Sequence, residues 1–339
     1  MNPALLIRLR PTTPWRIGPD NGASDQAAAI LHSDALYSAV TLAFGQLGLL
    51  EEWLNATARE YGEPAVRFSS CFPWQRGHLY APPPSGLWPP ASSGGKVRWK
   101  GATLLPTTLI AGLVRGERPS EDRWMVDGHS GCLIPVNSRS ATGPFRVVRR
   151  SSAAVDRVTG GAVAAHLTTC VQFAPASGLW CAAQFSNSMT YAVWGPRLQT
   201  AFRLLADSGL GGMRSKGFGR ARTPDFQPGT LPELLFGAEQ PVTDNRAWWV
   251  LSLFSPAETD TVEWASGDYL LTQRSGRVAS ADGAGAEKLT SRMVVEGSVL
   301  VSSQALRGAV RDVAPAGCPH PVYRAGYALA LPIPWPVSA

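Results

Sequence analysis

The chain has 339 residues, 45% hydrophobic and 17% charged, a balance that excludes a disordered chain and is large enough for two modest cores. Its formal net charge is +6, and of its 31 basic residues only Lys96, Lys100, Lys216 and Lys288 are lysines. Arginine's planar fork suits phosphate better than an ammonium does, but GC-rich coding gives the same bias, so composition leaves both readings open. Five scattered cysteines (Cys71, Cys132, Cys170, Cys181, Cys318) and five scattered histidines form no C-x-x-C pair and no metal-type spacing, so no disulfide framework, metal or cofactor is expected. Two arginines interrupt the apolar start, and no apolar run approaches the roughly 20 residues of a spanning helix. Neither signal peptide nor membrane contact is expected, and the cytoplasm is the expected location.

In chain order, Ala4 to Arg10 alternates apolar and basic residues and reads as a strand with one polar face. After a turn at 18–25, Ser33 and Asp34 open a helix running to about Leu50, and a second helical piece covers Glu51 to Tyr61. A β-prone run, 66–74, leads into a Pro-rich turn at 81–90. Periodicity then fades, and 86–165 reads as an insertion of loops and hairpins. Leu167–Phe173 and Gly178–Phe185 suggest a hairpin, followed by a helix from about Pro196 to the Gly209 stop and a closing strand at Gly217–Arg222. The Pro- and Gly-rich stretch 223–246 reads as a connection. Beyond it, β signals at 248–254, 268–272, 277–278, 289–295 and 323–332 carry little helical character. The expected fold is α+β: two ferredoxin-like (RRM-like) domains, 1–225 with the insertion and 245–339 smaller and β-rich.

The densest chemistry lies in Gly209-Leu-Gly-Gly-Met-Arg-Ser-Lys-Gly-Phe-Gly-Arg220. Glycines at Gly209, Gly211, Gly212, Gly217 and Gly219 let backbone amides approach an anion, and Arg214, Lys216 and Arg220 add charge. Phe218 and Gly219 stand where a P-loop needs Lys and Ser or Thr, and a Rossmann loop would open a helix rather than follow one. A nucleic-acid backbone lying over a sheet edge fits the order helix, loop, strand; a Gly-rich turn with solvated charges is the plainer alternative.

This loop resembles the glycine-rich loop of RAMP-superfamily proteins, the RNA-binding subunits and nucleases of CRISPR systems. L-H-S-D-A-L-Y-S-A-V (31–40), R-F-S-S-C-F-P-W (67–74) and C-P-H-P-V-Y-R-A-G-Y-A (318–328) narrow the resemblance to the type III-A (Csm) effector subunits that cap the 5′ end of crRNA. The resemblance implies two ferredoxin-like domains and no nuclease activity. As partners it implies the crRNA 5′ handle, target RNA near the guide 5′ end, the large polymerase-like subunit and the backbone RAMP subunit. It places Gly209, Gly211, Gly212, Met213, Arg214, Ser215, Lys216, Gly217, Phe218, Gly219 and Arg220 against handle phosphates. The stretch Arg149, Arg150 to Asp156, Arg157, Thr159 and Gly160 resembles the start of the family's β-hairpin thumb. The Ala/Pro/Ser-rich stretch 81–95 and the Gly/Ala run 281–286 depart from the pattern.

Arg149, Arg150 and Arg157 flank one turn and suit an RNA strand, with a solvated hairpin as the alternative. Ser33 and Asp34 read foremost as a helix N-cap, although that helix end also suits a phosphate. His320, Tyr323 and Arg324 suit a handle base, or a turn feeding the last strand. Phe72 and Trp74 read as core and rim. His32 is the one candidate general base, and an ordinary loop histidine is the favoured explanation of it. The rival function is a repeat-RNA endoribonuclease of the same superfamily; against it stand the whole C-terminal third following the glycine loop and the missing His/Lys/Tyr set. The equivalent cap of a type III-B or type I complex is a third reading.

Overall fold

The computed structural model describes residues 2–18, 25–59, 62–90, 99–136, 142–237, 247–279 and 285–335, and all but the side chains of 162–165 among them. The expected turn at 18–25, the departures at 81–95 and 281–286 and the connection at 223–246 therefore lie partly outside the described residues.

The first strand, β1 (Pro3–Leu9), pairs antiparallel on both edges. It was expected to have a polar face; instead Ala4 to Ile7 are all buried, because both faces of its sheet are covered. Full burial of Leu5 or Ile7 contributes roughly 1.5–3 kcal/mol each. Helix α1 (Ser33–Gln46) buries Leu36, Tyr37, Val40, Ala43 and Phe44, one stripe at helical spacing. It stops at Gly48, whose φ of +74° a side chain would resist. Helix α2 (Leu50–Leu54) continues as a π-helical turn at Asn55–Arg59.

Strands β2 (Val66–Phe68), β3 (Phe72–Gln75) and β4 (His78–Ala81) follow, with Phe72 and Trp74 both in the core. The expected insertion holds β5 (Leu105–Pro106), a buried helix α3 (Thr107–Val114) that fading periodicity concealed, and two hairpins, β6 (Trp124–Val126) with β7 (Leu133–Pro135) and β8 (Phe145–Val155) with β9 (Ala162–Phe173). Strand β10 (Ser177–Phe185) does not form the expected hairpin with β9. It runs centrally between β1 and β3, so its neighbours lie far away in sequence.

Helix α4 (Ser188–Ser208) starts eight residues before the expected Pro196. Asn187 caps it by accepting from the Thr190 amide at 2.8 Å, and the early turns bury Trp194. The helix passes through Pro196 without the bond that proline's nitrogen cannot donate. The closing strand is β11 (Asp225–Thr230) rather than Gly217–Arg222, which contributes only a bridge between Ala221 and Pro11. Helix α5 (Leu231–Phe236) carries a capping box from Thr230 and Glu233.

The central sheet runs β11, β1, β10, β3, β4, β5, with β2 also on β10, all antiparallel. One face packs on α1 and α4, and the other on α3, α5 and the C-terminal sheet. That sheet has β12 (Ala247–Val250) between β15 (Val299–Val301) and β18 (Ala330–Ile333). Two pairs accompany it: β13 (Leu271–Arg274) with β14 (Ser291–Val294), and β16 (Gly308–Asp312) with β17 (Tyr323–Tyr327). No α-helix occurs among the described residues of 247–335. The final run expected at 323–332 is two strands. Trp249, Leu331 and Ile333 share one core with α3 and α5, and Tyr327 joins the core under α1, so the two halves pack as one body. The chain is an α+β protein built mostly of antiparallel sheet.

Candidate nucleic-acid interface

The glycine loop leaves α4 at Gly209, with φ +95°, where a Cβ would meet the Phe218 carbonyl oxygen at 2.6 Å. Gly219 is tighter: at φ +83° a Cβ would lie 2.0 Å from the Leu210 oxygen. These close approaches are why the sequence is glycine-rich, and they fold the loop onto itself. Leu210 donates to Gly219 at 3.0 Å, Gly212 to Arg16 at 2.8 Å and Gly219 to Pro14 at 3.0 Å. Several amides expected to face a phosphate are thus spent inward. Outward the loop presents Arg214, Ser215 and Lys216, an exposed 3-10 turn entered through Met213 at φ +58° and left through Gly217. Neither Arg214 nor Lys216 has an acidic partner among the described residues. Arg220 is exposed at the loop's end, and Phe218 is half-buried.

The strip 14–16 ties this loop to the long hairpin. Arg16 accepts from Gly212, and Trp15 donates to Val171 of β9 at 2.9 Å. Beyond that root β8 is exposed, and Arg149 and Arg150, opposite Thr169 and Thr168, leave it on opposite faces. At the tip Asp156 accepts from the Val158 amide and the Thr159 hydroxyl, both at 2.9 Å, and these bonds hold its carboxyl below the usual range. Asp156 and Thr159 therefore shape the turn that presents Arg157.

Two adjoining cavities, about 260 and 770 Å³, run as one groove along the exposed side of α1 and share Ser38, Leu42, Arg214, Lys288 and Tyr323. Gly209, Gly211 and Arg214 form one wall; Arg277, Lys288, His320 and Tyr323 form the other. The structure thus brings the loop together with His320 and Tyr323, while the hairpin residues lie outside the groove. Sequence reasoning missed Arg277, Lys288 and Arg59, which sit in stretches without a motif; their positive charge was the only available signal.

Two expected contacts are corrected. Ser33 is not the N-cap: it is the first helical residue, buried, and its hydroxyl accepts from the Leu253 amide at 2.9 Å. Arg324 is buried too, donating to the Arg274 and Ser275 carbonyls at 2.6 Å and to Ser291 at 3.1 Å. It belongs to the groove floor rather than to a base-reading edge. Asp34, assigned to the same cap, instead accepts two bonds from Arg274, at 2.9 and 3.1 Å. Burial pushes its carboxyl up, but the Arg274 charge and hydrogen bond outweigh this and hold it below the usual range. His32 stands at the N-cap position without capping, its Nδ1 2.8 Å from Glu296. That pairing fixes the imidazole to the C-terminal half, where the Ser70 hydroxyl donates to the same Glu296 oxygen.

An antiparallel α+β sheet with a glycine-rich loop beside an arginine-lined groove is compatible with the RAMP fold. Residues 243–333 match the CRISPR Csm4 C-terminal domain family. A chain of a Csm1-Csm4 cassette in complex with cA4 has a similar fold over 98% of this chain and 99% of its own, with 17% identity and a TM-score of 0.59. A chain of a Csm3-Csm4 subcomplex of the type III-A CRISPR-Cas interference complex matches over 98% and 99%, with 14% identity and a TM-score of 0.63. No curated protein matches the chain in sequence. A match to the Csm4 C-terminal domain thus covers the last part of the chain, and the fold along its whole length is similar to that of chains in these two complexes.

Proposed function

We propose that the chain is a non-catalytic crRNA-binding subunit of a type III-A CRISPR effector complex, acting in the cytoplasm. It holds the repeat-derived 5′ handle in the groove and docks onto the large polymerase-like subunit and the backbone RAMP subunit. We also read the strand order β11, β1, β10, β2 with α1 and α4 as a ferredoxin-like unit, and the region from 247 onward as its reduced, β-rich counterpart. The hairpin β8–β9 acts as the thumb, reaching target RNA near the guide 5′ end through Arg149, Arg150 and Arg157. The observation that carries the reading is the groove itself: the glycine loop of one half and Arg277, Lys288, His320 and Tyr323 of the matched Csm4 domain line the same channel.

Guanidinium and ammonium groups at such a channel bind the RNA backbone, and half-exposed Tyr323 and His320 offer rings for unstacked bases. Filter binding of labelled mature crRNA, with and without its handle, tests the function. Handle-dependent binding with intact RNA is expected, and Arg214→Ala/Lys216→Ala weakens it. Cleaved RNA, or equal binding without the handle, overturns the reading.

A further inference from the structure

We infer that the turn 295–298, between β14 and β15, is a proton-operated latch that fastens the C-terminal strands to the start of α1. The turn is wedged into the N-terminal half on two sides. On one side Gly297, at φ +89°, comes so near Pro82 that a Cβ would lie 2.9 Å from the proline's own, and its carbonyl accepts from the Ser85 amide at 2.8 Å. On the other side Glu296 Oε1 lies 2.8 Å from His32 Nδ1 and accepts from the Ser70 hydroxyl. The Glu296 side chain is 1% exposed and that of His32 24%, so the carboxylate is sealed while the imidazole can exchange its proton with solvent. Glu296 Oε2 is buried without a hydrogen-bond partner among the described residues. The carboxylate's hydrogen bonds therefore all arrive at the oxygen that His32 and Ser70 share.

A buried charge is costly unless an opposite charge accompanies it. The imidazolium supplies that charge together with a donor. The neutral ring can still donate through Nδ1, but it no longer offsets the carboxylate. The other charges near His32 largely answer one another. Asp34 on α1 favours the imidazolium and Arg274 on β13 opposes it, yet these two are bonded at 2.9 and 3.1 Å, and Arg324 on β17 stands 3.6 Å from the same carboxylate. Glu296 is thus the carboxylate left to the imidazole. Burial works against the His32 proton, and the charge and hydrogen bond of Glu296 outweigh it. The latch is accordingly tightest below the unfolded histidine value of about 6.5 and slackens as pH climbs through the raised folded value.

Hydrogen exchange of the full chain from about pH 6 to about pH 8.5, each amide's rate being divided by its unstructured rate at that pH, tests the latch. The reporting amides are those of Ser85, Val295 and Gly297, which donate to Gly297, Leu270 and Val250. Their protection is expected to fall about tenfold across the range in the wild type, the scale of one charge-assisted bond. His32→Gln keeps a donor of similar size but does not titrate, and Glu296→Gln keeps the shape of the turn without the carboxylate. Either variant is expected to flatten the profile, so a failure of one to fold leaves the other as the control. At every pH the turn amides are also expected to be at least about tenfold less protected than those of central strand β10, because the latch opens without unfolding the chain. A flat wild-type profile, or a fall that persists in the folded variants, overturns the latch. Turn amides protected as well as those of β10 overturn it too, since the turn would then open only when the whole chain unfolds.

Discussion

Arg274 holds Asp34 with two hydrogen bonds, at 2.9 and 3.1 Å, and so joins the start of α1 to β13 across 240 residues of chain. The pair is buried beneath the groove, so the anchor of the fold and the floor of the candidate site are the same side chains. Removing one partner leaves a buried charge without its mate. Asp34→Ala is expected to destabilise the chain by about 3–5 kcal/mol, and Asp34→Asn/Arg274→Met by clearly less, as read from urea unfolding at neutral pH. Equal losses in the two variants would show that the pair's charge is irrelevant.

A second link from the start of α1, this one to Glu296 between β14 and β15, titrates. Burial pulls the His32 imidazolium down, and the charge and hydrogen bond of Glu296 together outweigh it, giving a net value above the ordinary 6.5. A group whose pKa is raised on folding stabilises fully below its unfolded value and loses that contribution as pH climbs through the folded one. The advantage of wild type over His32→Gln is therefore expected to be greatest near pH 6 and to shrink toward pH 9, on the order of the ordinary histidine range. Urea midpoints of both proteins across that range check the sign; an advantage that grows with pH contradicts the pairing. Asp34 behaves oppositely, its contribution being lost as pH falls through its lowered value.

Both links show where sequence reading stops. The strand at 3–9, the helix from Ser33 and the glycine loop were legible because local periodicity and turn chemistry dictate them. Ser33 and Asp34 carry a strong capping signal, yet Leu253 and Arg274 claim their side chains, and nothing local announces partners more than 200 residues away. The same long-range pairing places β10 beside β1 rather than β9, and moves the closing strand to β11. Pro196 misled because proline suits a first turn, whereas Asn187 supplied the cap and buried Trp194 stabilises the extra turns. The loop was found by its glycines, while Arg277 and Lys288 across the groove were not, since only the fold sets them opposite the loop.

The glycines of the loop are expected to differ sharply from one another. Gly219 and Gly217 share φ +83°, but a Cβ at Gly219 would lie 2.0 Å from the Leu210 oxygen, whereas one at Gly217 meets nothing within 4 Å. Gly217→Ala bears only the backbone penalty of about 1–2 kcal/mol. Gly219→Ala must also displace the Leu210 segment, so it is expected to lower both the melting temperature and crRNA affinity much more. Equal effects of the two substitutions would mean that the loop is not closed by the Leu210–Gly219 approach.

Salt dependence separates the loop's charges from its shape. Each cation that neutralises a phosphate releases a counterion, so on a single strand every neutralising side chain contributes roughly 0.7 to the slope of log K against log salt. If Arg214 and Lys216 each meet one phosphate, Arg214→Ala/Lys216→Ala flattens the slope by about 1.4 and leaves stability unchanged, because both side chains are exposed and without an acidic partner among the described residues. Gly219→Ala instead lowers affinity at every salt concentration, its main action being on the loop's geometry. Titrations over a series of salt concentrations distinguish the two. A double variant with reduced affinity but an unaltered slope would place these side chains away from the RNA backbone and leave Arg277 and Lys288 as the groove's phosphate-binding cations.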